Sequence, residues 1–113
     1  VAVADEPERH RSFMLAYTGA ATTRADGDGF AIDLPRGAID MMTPAAFTRR
    51  FGVPAPGTAR GARLAALRLA VRDAAAVQST FEQAKIPTVK AGGAVVAGPS
   101  AAMGAVLVFE ASR

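Results

Sequence analysis

The chain has 113 residues, 50% hydrophobic and 20% charged, a balance that excludes a disordered polypeptide and suffices for one domain with its own core. It contains no cysteine, which excludes a disulfide framework, a Cys-ligated zinc and a thiol nucleophile. The formal net charge is +3, and eleven of the thirteen basic residues are arginines scattered from Arg9 to Arg113 among acids, the pattern of a solvated surface and not of a nucleic-acid face.

Val1–Ala4 reads as a strand at the start of the chain, with neither Met nor a signal-peptide head before it. The chain is therefore expected to be the C-terminal part of a longer, cytoplasmic protein. Asp5 and Glu8 have capping-box spacing and Pro7 suits a first turn, so a helix is predicted to follow. His10, Phe13, Met14 and Tyr17 keep the i, i+3, i+4, i+7 rule and predict its buried face, and Gly19 ends it. The carboxylates of Asp5, Glu6 and Glu8 then complement the helix dipole. Three short strands are predicted next, near Ala20–Arg24, Phe30–Leu34 and Ala38–Met42, with turns at Asp26–Gly29 and Pro35–Gly37. Thr43-Pro44 can start a short helix over Ala45–Phe51, and Gly52–Gly61 reads as a loop. Leu64–Val71 is predicted as one strand, and Asp73 as the cap of a helix through about Ala84 with Val77 and Phe81 as its seam. Strands over Pro87–Lys90, Ala94–Ala97 and Ala105–Ala111 close the chain, separated by turns at Ala91–Gly93 and Pro99–Gly104. No apolar run approaches the length of a membrane span.

The chain repeats itself. Ala2-Val3-Ala4-Asp5, followed by Phe13, is answered by Ala70-Val71-Arg72-Asp73 and Phe81 at an offset of 68 residues. Gly29–Pro35 is answered by Gly93–Pro99 at an offset of 64. Such a period is too long for a solenoid and suits one duplicated supersecondary unit. Each copy reads as βαβββ: residues 1–51, a linker over 52–62, and residues 63–113. The expected fold is α+β, two tandem βαβββ modules forming one curved mixed sheet with its helices on the convex side. The concave side is where a pocket is expected.

Strand alternation sends Ala66, Arg68 and Ala70 to the concave face, with Ala38, Asp40 and Met42 from the first module and Val106, Val108 and Glu110 from the last strand. Leu67, Leu69 and Val71 face the helices. Arg68 is the candidate anchor for a carboxylate or phosphate. The competing expectation is an internal ion pair of Arg68 with Asp40 or Glu110. The methionines Met14, Met41, Met42 and Met103 read as gap-filling core residues. One helical His and no Cys leave no Ser–His–Asp or Cys–His arrangement, and Gly27-x-Gly29 and Gly92-Gly93 sit in hairpin turns where they make no phosphate loop.

Tandem βαβββ units, with Ala70–Asp73 leading into a helix and Leu107-Val108-Phe109-Glu110 near the end, resemble the vicinal oxygen chelate superfamily of glyoxalase I, extradiol dioxygenases and bleomycin-resistance proteins. Leu34–Gly37, Met42–Phe47 and Arg63–Leu67 are similar to bacterial glyoxalase-like domains. The resemblance implies a divalent metal held by His or Glu on the first and last strands of each module. Residue by residue, the second module has Ala66 where its first-strand His would stand, and Val108 where its last-strand Glu would stand. Glu110 lies two residues further, near the strand end. In the first module the last-strand position is Asp40, and its first-strand position falls two residues before Val1. No metal site and no cofactor are therefore expected.

Three readings follow. The chain is a glyoxalase-like scaffold, paired with another such domain or a second copy; or it binds a small apolar or anionic ligand through Arg68, Asp40, Met42, Val108 and Glu110; or it is a lyase or dioxygenase completed by residues outside the chain. Neither a nucleic acid nor a membrane is an expected partner. The scaffold reading predicts a filled or shallow concavity, the binding reading an open pocket at Arg68.

Overall fold

The structure is a computed structural model, and residues 1–112 are described. It is α+β, with three helices and two mixed sheets. In chain order the elements are β1 (Ala2–Val3), a 3-10 turn (Pro7–His10), α1 (Arg11–Thr18), β2 (Arg24–Asp26), β3 (Gly29–Leu34), β4 (Gly37–Met42), α2 (Pro44–Phe51), β5 (Arg63–Leu64), β6 (Ala66–Val71), α3 (Ala74–Gln83), β7 (Val89–Ala91), β8 (Ala94–Ala97) and β9 (Val106–Ala111).

Local chemistry explains where most elements begin and end. The Thr43 hydroxyl accepts from the Ala46 amide at 3.1 Å and Pro44 occupies the first turn, so α2 starts there. Asp73 caps α3 by accepting from the amides of Ala75 and Ala76 at 3.0 and 3.2 Å. Gly19 and Gly52 close α1 and α2 in the left-handed conformation, at φ 75° and 71°, each donating its N–H back into the last turn.

The strands form two sheets, of order β2-β3-β4-β1-β5 and β6-β9-β8-β7. The two share one connectivity. In each, the first strand runs parallel to the fourth (β1 with β4, β6 with β9), and the fourth pairs antiparallel with the third (β4 with β3, β9 with β8); β5 adds a fifth strand to the first sheet, antiparallel to β1. The expectation of a single continuous sheet is corrected here, and the correction has a local cause. The amides of Ala65 and Ala66 both donate to the Val1 carbonyl, at 2.9 and 3.3 Å, so two residues oppose one. This β-bulge breaks the expected strand Leu64–Val71 into β5 and β6 and ends the ladder between the sheets. β1, only Ala2–Val3, is too short to continue it.

The two faces carry separate cores. Ala2, Ala4, Phe30, Ile32 and Met41 form one, covered by Met14 and Leu15 of α1. Val3 and Met42, their neighbours in sequence, point the other way into a core shared with Val96, Val106 and Val108 of the second sheet. Phe47 and Phe51 of α2, together with Val53, fill that same core. The helices do not all lie on one side, contrary to expectation: α1 and α2 cover opposite faces of the first sheet. Phe81 of α3 meets Phe109 with ring centroids 5.5 Å apart, and Phe109 alternates with Val108, which places α3 on the face opposite α2.

α1 departs from its expected face. Phe13 and Tyr17 are 66% and 75% exposed and stack on each other in solvent with centroids 6.0 Å apart. The 3-10 turn absorbs His10 before the α-helix begins at Arg11, which rotates the helix so that Met14 and Leu15 face the core. The capping box is absent too: no side chain caps this helix start. Asp5 instead accepts from the Thr58 hydroxyl at 2.6 Å, and Glu8 pairs with Arg11. The strand expected near Ala20–Arg24 is β2, beginning only at Arg24.

Candidate functional site

The residues singled out on the Arg68 face fall into two groups. Asp40 of β4, Arg68 of β6 and Glu110 of β9 converge where the two sheets meet. Strand register sets this up: Arg68 lies beside Val108, and Ala70 beside Glu110, so Arg68 and Glu110 point to one face two residues out of step. The offset lets the guanidinium lie along the carboxylate. Arg68 Nε donates to Glu110 Oε1 at 2.6 Å and Nη2 to Oε2 at 2.9 Å, a side-on, two-bond pair. Nη1 of the same guanidinium donates to Asp40 Oδ2 in the other sheet.

Arg68 therefore uses both edges of its fork on protein. Its side chain is 30% exposed, that of Glu110 35%, and that of Asp40 only 5%. The hydrogen bonds that Arg68 donates to Glu110 and Asp40 raise its pKa against the opposing effect of burial, so it is charged at every accessible pH. The same bond from Arg68 lowers the pKa of Glu110, again against burial. Arg24, paired with Asp33 at 3.0 Å, brings a second cation to the lining of the same cleft.

Met42 and Val108 belong to the other group. They are 4% and 0% exposed and lie within the core that Phe47 and Phe51 fill. Met42 also borders a separate cavity of about 300 Å³, with Asp26, Asp28, Ala46 and Arg50. What stays open beside Arg68 is a cleft of about 520 Å³, with Gly37, Ala38 and Asp40 on one bank and Arg68, Ala70 and Glu110 on the other. His10 lies away from it, in a depression with Asp5, Glu6 and Thr58.

The divalent metal that the family resemblance implies does not fit these residues. Ala66 and Val108 stand where ligands are needed, and the two carboxylates that do face the cleft are held by Arg68. Among the described residues no three of His, Cys, Asp or Glu converge.

The plug formed by Phe47 and Phe51 is absent from the sequence expectations. Their i, i+4 spacing in the predicted short helix is the available signal, since it makes a compact apolar edge with ring centroids 5.0 Å apart. Compared with family models, with curated proteins and with solved structures, the chain matches none. No helix among the described residues is long and apolar enough to cross a membrane.

Proposed function

We propose that this chain is a glyoxalase-like domain without metal chemistry, a non-catalytic scaffold that supports a partner domain or a second copy of itself. The observation that carries this reading is that Arg68, the side chain best placed to receive a ligand, is already engaged by Glu110 and Asp40, on a face otherwise filled by Phe47 and Phe51. The shared connectivity of the two sheets, each first strand parallel to the fourth, supports the paired-module assignment. So does the helix that follows each first strand.

The small-molecule reading has the open cleft in its favour and the engagement of Arg68 against it. A carboxylate or phosphate approaching Arg68 would have to displace two carboxylates that already hold its fork. A lyase or dioxygenase completed from outside the chain would need Asp40, which Arg68 holds.

Titration of ¹⁵N-labelled protein separates these readings. The scaffold reading expects no saturable amide shifts at Asp40, Arg68 or Glu110 with Mg²⁺, Zn²⁺, acetate or inorganic phosphate. A saturable response to an anion that vanishes in Arg68→Ala would replace it with the binding reading. A stoichiometric response to a divalent ion that vanishes in Asp40→Asn would replace it with the metal-dependent one.

A further inference from the structure

The cleft beside Arg68 lies between two strand edges that face each other without a partner. β1 pairs β4 only at Met41 and Met42 and pairs the other side only at Arg63 and Leu64, with the bulge at Ala65–Ala66 beyond. The rest of β4, from Gly37, and the rest of β6, to Val71, have no strand on these edges among the described residues.

Backbone alternation identifies the groups left open. Ala66 turns both its N–H and its C=O toward Val1, so Arg68 and Ala70 turn theirs the same way, into the cleft. The Met42 carbonyl accepts from the Ala4 amide, so Ala38, four residues back on β4, also faces the cleft. Ala38, Asp40, Arg68 and Ala70 are among the residues that line the cavity. Open backbone edges of this kind are templates for strand addition.

We propose that this cleft is a strand slot, and that its occupant is an extended segment joined to Val1, continuing β1 backwards between β4 and β6. Register fixes how it would sit. Ala2 pairs with Met41 in parallel and with Leu64 in antiparallel, so the residue before Val1 falls beside Ile39 and Leu67, the next beside Ala38 and Arg68, and the third beside Gly37 and Leu69. The first and third point to the face of Leu67 and Leu69, which are 58% and 37% exposed, and are apolar in the sequence that fits best. The second points to the Arg68 face. It is small, because the Arg68 side chain crosses that position to reach Asp40.

Two further observations support this occupant. The Val1 amine donates to the Ala66 carbonyl at 2.8 Å, the bond that an in-strand peptide N–H would make. Burial lowers the pKa of this amine, and Arg68 lowers it further against the opposing pull of Asp40. A peptide group there makes the same bond without a charge to desolvate. The inference does not depend on whether the domain is a scaffold.

The test adds three residues to Val1. One version carries Val-Ala-Val, a second Gly-Pro-Gly, and a third sample is the unextended chain with free acetyl-Val-Ala-Val-amide. Joined Val-Ala-Val is expected to raise the Tm and to slow amide exchange at Arg68 and Ala38 about five- to tenfold, the factor one net strand hydrogen bond confers. Gly-Pro-Gly is expected to do neither. Unchanged exchange at both amides with joined Val-Ala-Val overturns the slot, and protection by the free peptide but not the joined one overturns entry through Val1.

Discussion

Arg68 and Glu110 meet side-on, with two hydrogen bonds of 2.6 and 2.9 Å, although 42 residues separate them in the chain. The third bond of the same guanidinium crosses to Asp40 in the other sheet, so one side chain ties three strands and both sheets together. Removing it leaves two carboxylates facing each other, one of them almost wholly buried.

Arg68→Met should therefore destabilise the fold while preserving side-chain bulk. Breaking a fully buried pair costs about 3–5 kcal/mol. Arg68 is 30% exposed, and solvent screening reduces the expected loss to about 1–3 kcal/mol. Urea denaturation measures it. Asp40→Asn combined with Arg68→Met should cost less than the sum of the two singles, because the partners are coupled. Additive losses would show that the contact contributes nothing.

Glu110 links this cluster to pH. Its folded-state pKa is lowered from an ordinary value near 4.5, chiefly by the hydrogen bond from Arg68 and against burial, and the charges of Arg68 and Arg50 act in the same direction, with Asp40 also opposing. A group depressed in this way contributes stability that is fully present above its unfolded pKa and is lost as pH falls through its folded one. Urea midpoints should thus be flat in Glu110's contribution from neutrality to about pH 5 and decline below it. Glu110→Gln should weaken the decline below that point. An unchanged acid limb in Glu110→Gln would assign it to other carboxylates.

Features written in local chemistry were legible in the sequence, and those that depend on tertiary phase were not. Asp73 as a cap, Gly19 and Gly52 as helix ends and the hairpin strands around Gly27 and Gly92 follow from side-chain and φ preferences of a few adjacent residues. The meeting of Arg68 with Asp40 and Glu110 was accessible because strand alternation needs only parity. The face of α1 failed because a 3-10 turn shifts helical phase, and Pro7–His10 gives no compositional sign of forming one. The split into two sheets turns on a bulge at Ala65–Ala66, two residues with nothing in their side chains to announce it. The filled face depends on where α2 docks, a property of both sheets at once.

Phe47 and Phe13 separate the observed packing from the one the periodicity suggested. Phe47 is 0% exposed and Phe13 66%. Phe47→Ala should cost about 3–5 kcal/mol, the usual loss for emptying a buried aromatic site. Phe13→Ala should stay within about 0.5 kcal/mol, as exposed substitutions do. Chemical denaturation of the two variants side by side checks this, and a large loss in Phe13→Ala would mean that α1 turns its other face inward.

Gly29 offers a backbone test of the β3–β4 pairing. A Cβ at this position would sit 1.9 Å from the Met41 carbonyl oxygen and 2.9 Å from its carbon. Both atoms belong to the backbone of the adjacent strand, beside the Phe30–Met41 pair, so neither can rotate away as a side chain would. Gly29→Ala must push β3 from β4 and should lose at least about 2–3 kcal/mol, the upper range for overpacking. Gly37, at the other end of β4, supplies the control, since a Cβ there would meet no atom within 4 Å and its φ is not positive. Gly37→Ala should be neutral or stabilising by about 0.5 kcal/mol, through the entropy removed from the unfolded chain. Thermal denaturation distinguishes the two, and equal effects would mean that the hairpin does not hold β3 and β4 in the observed register.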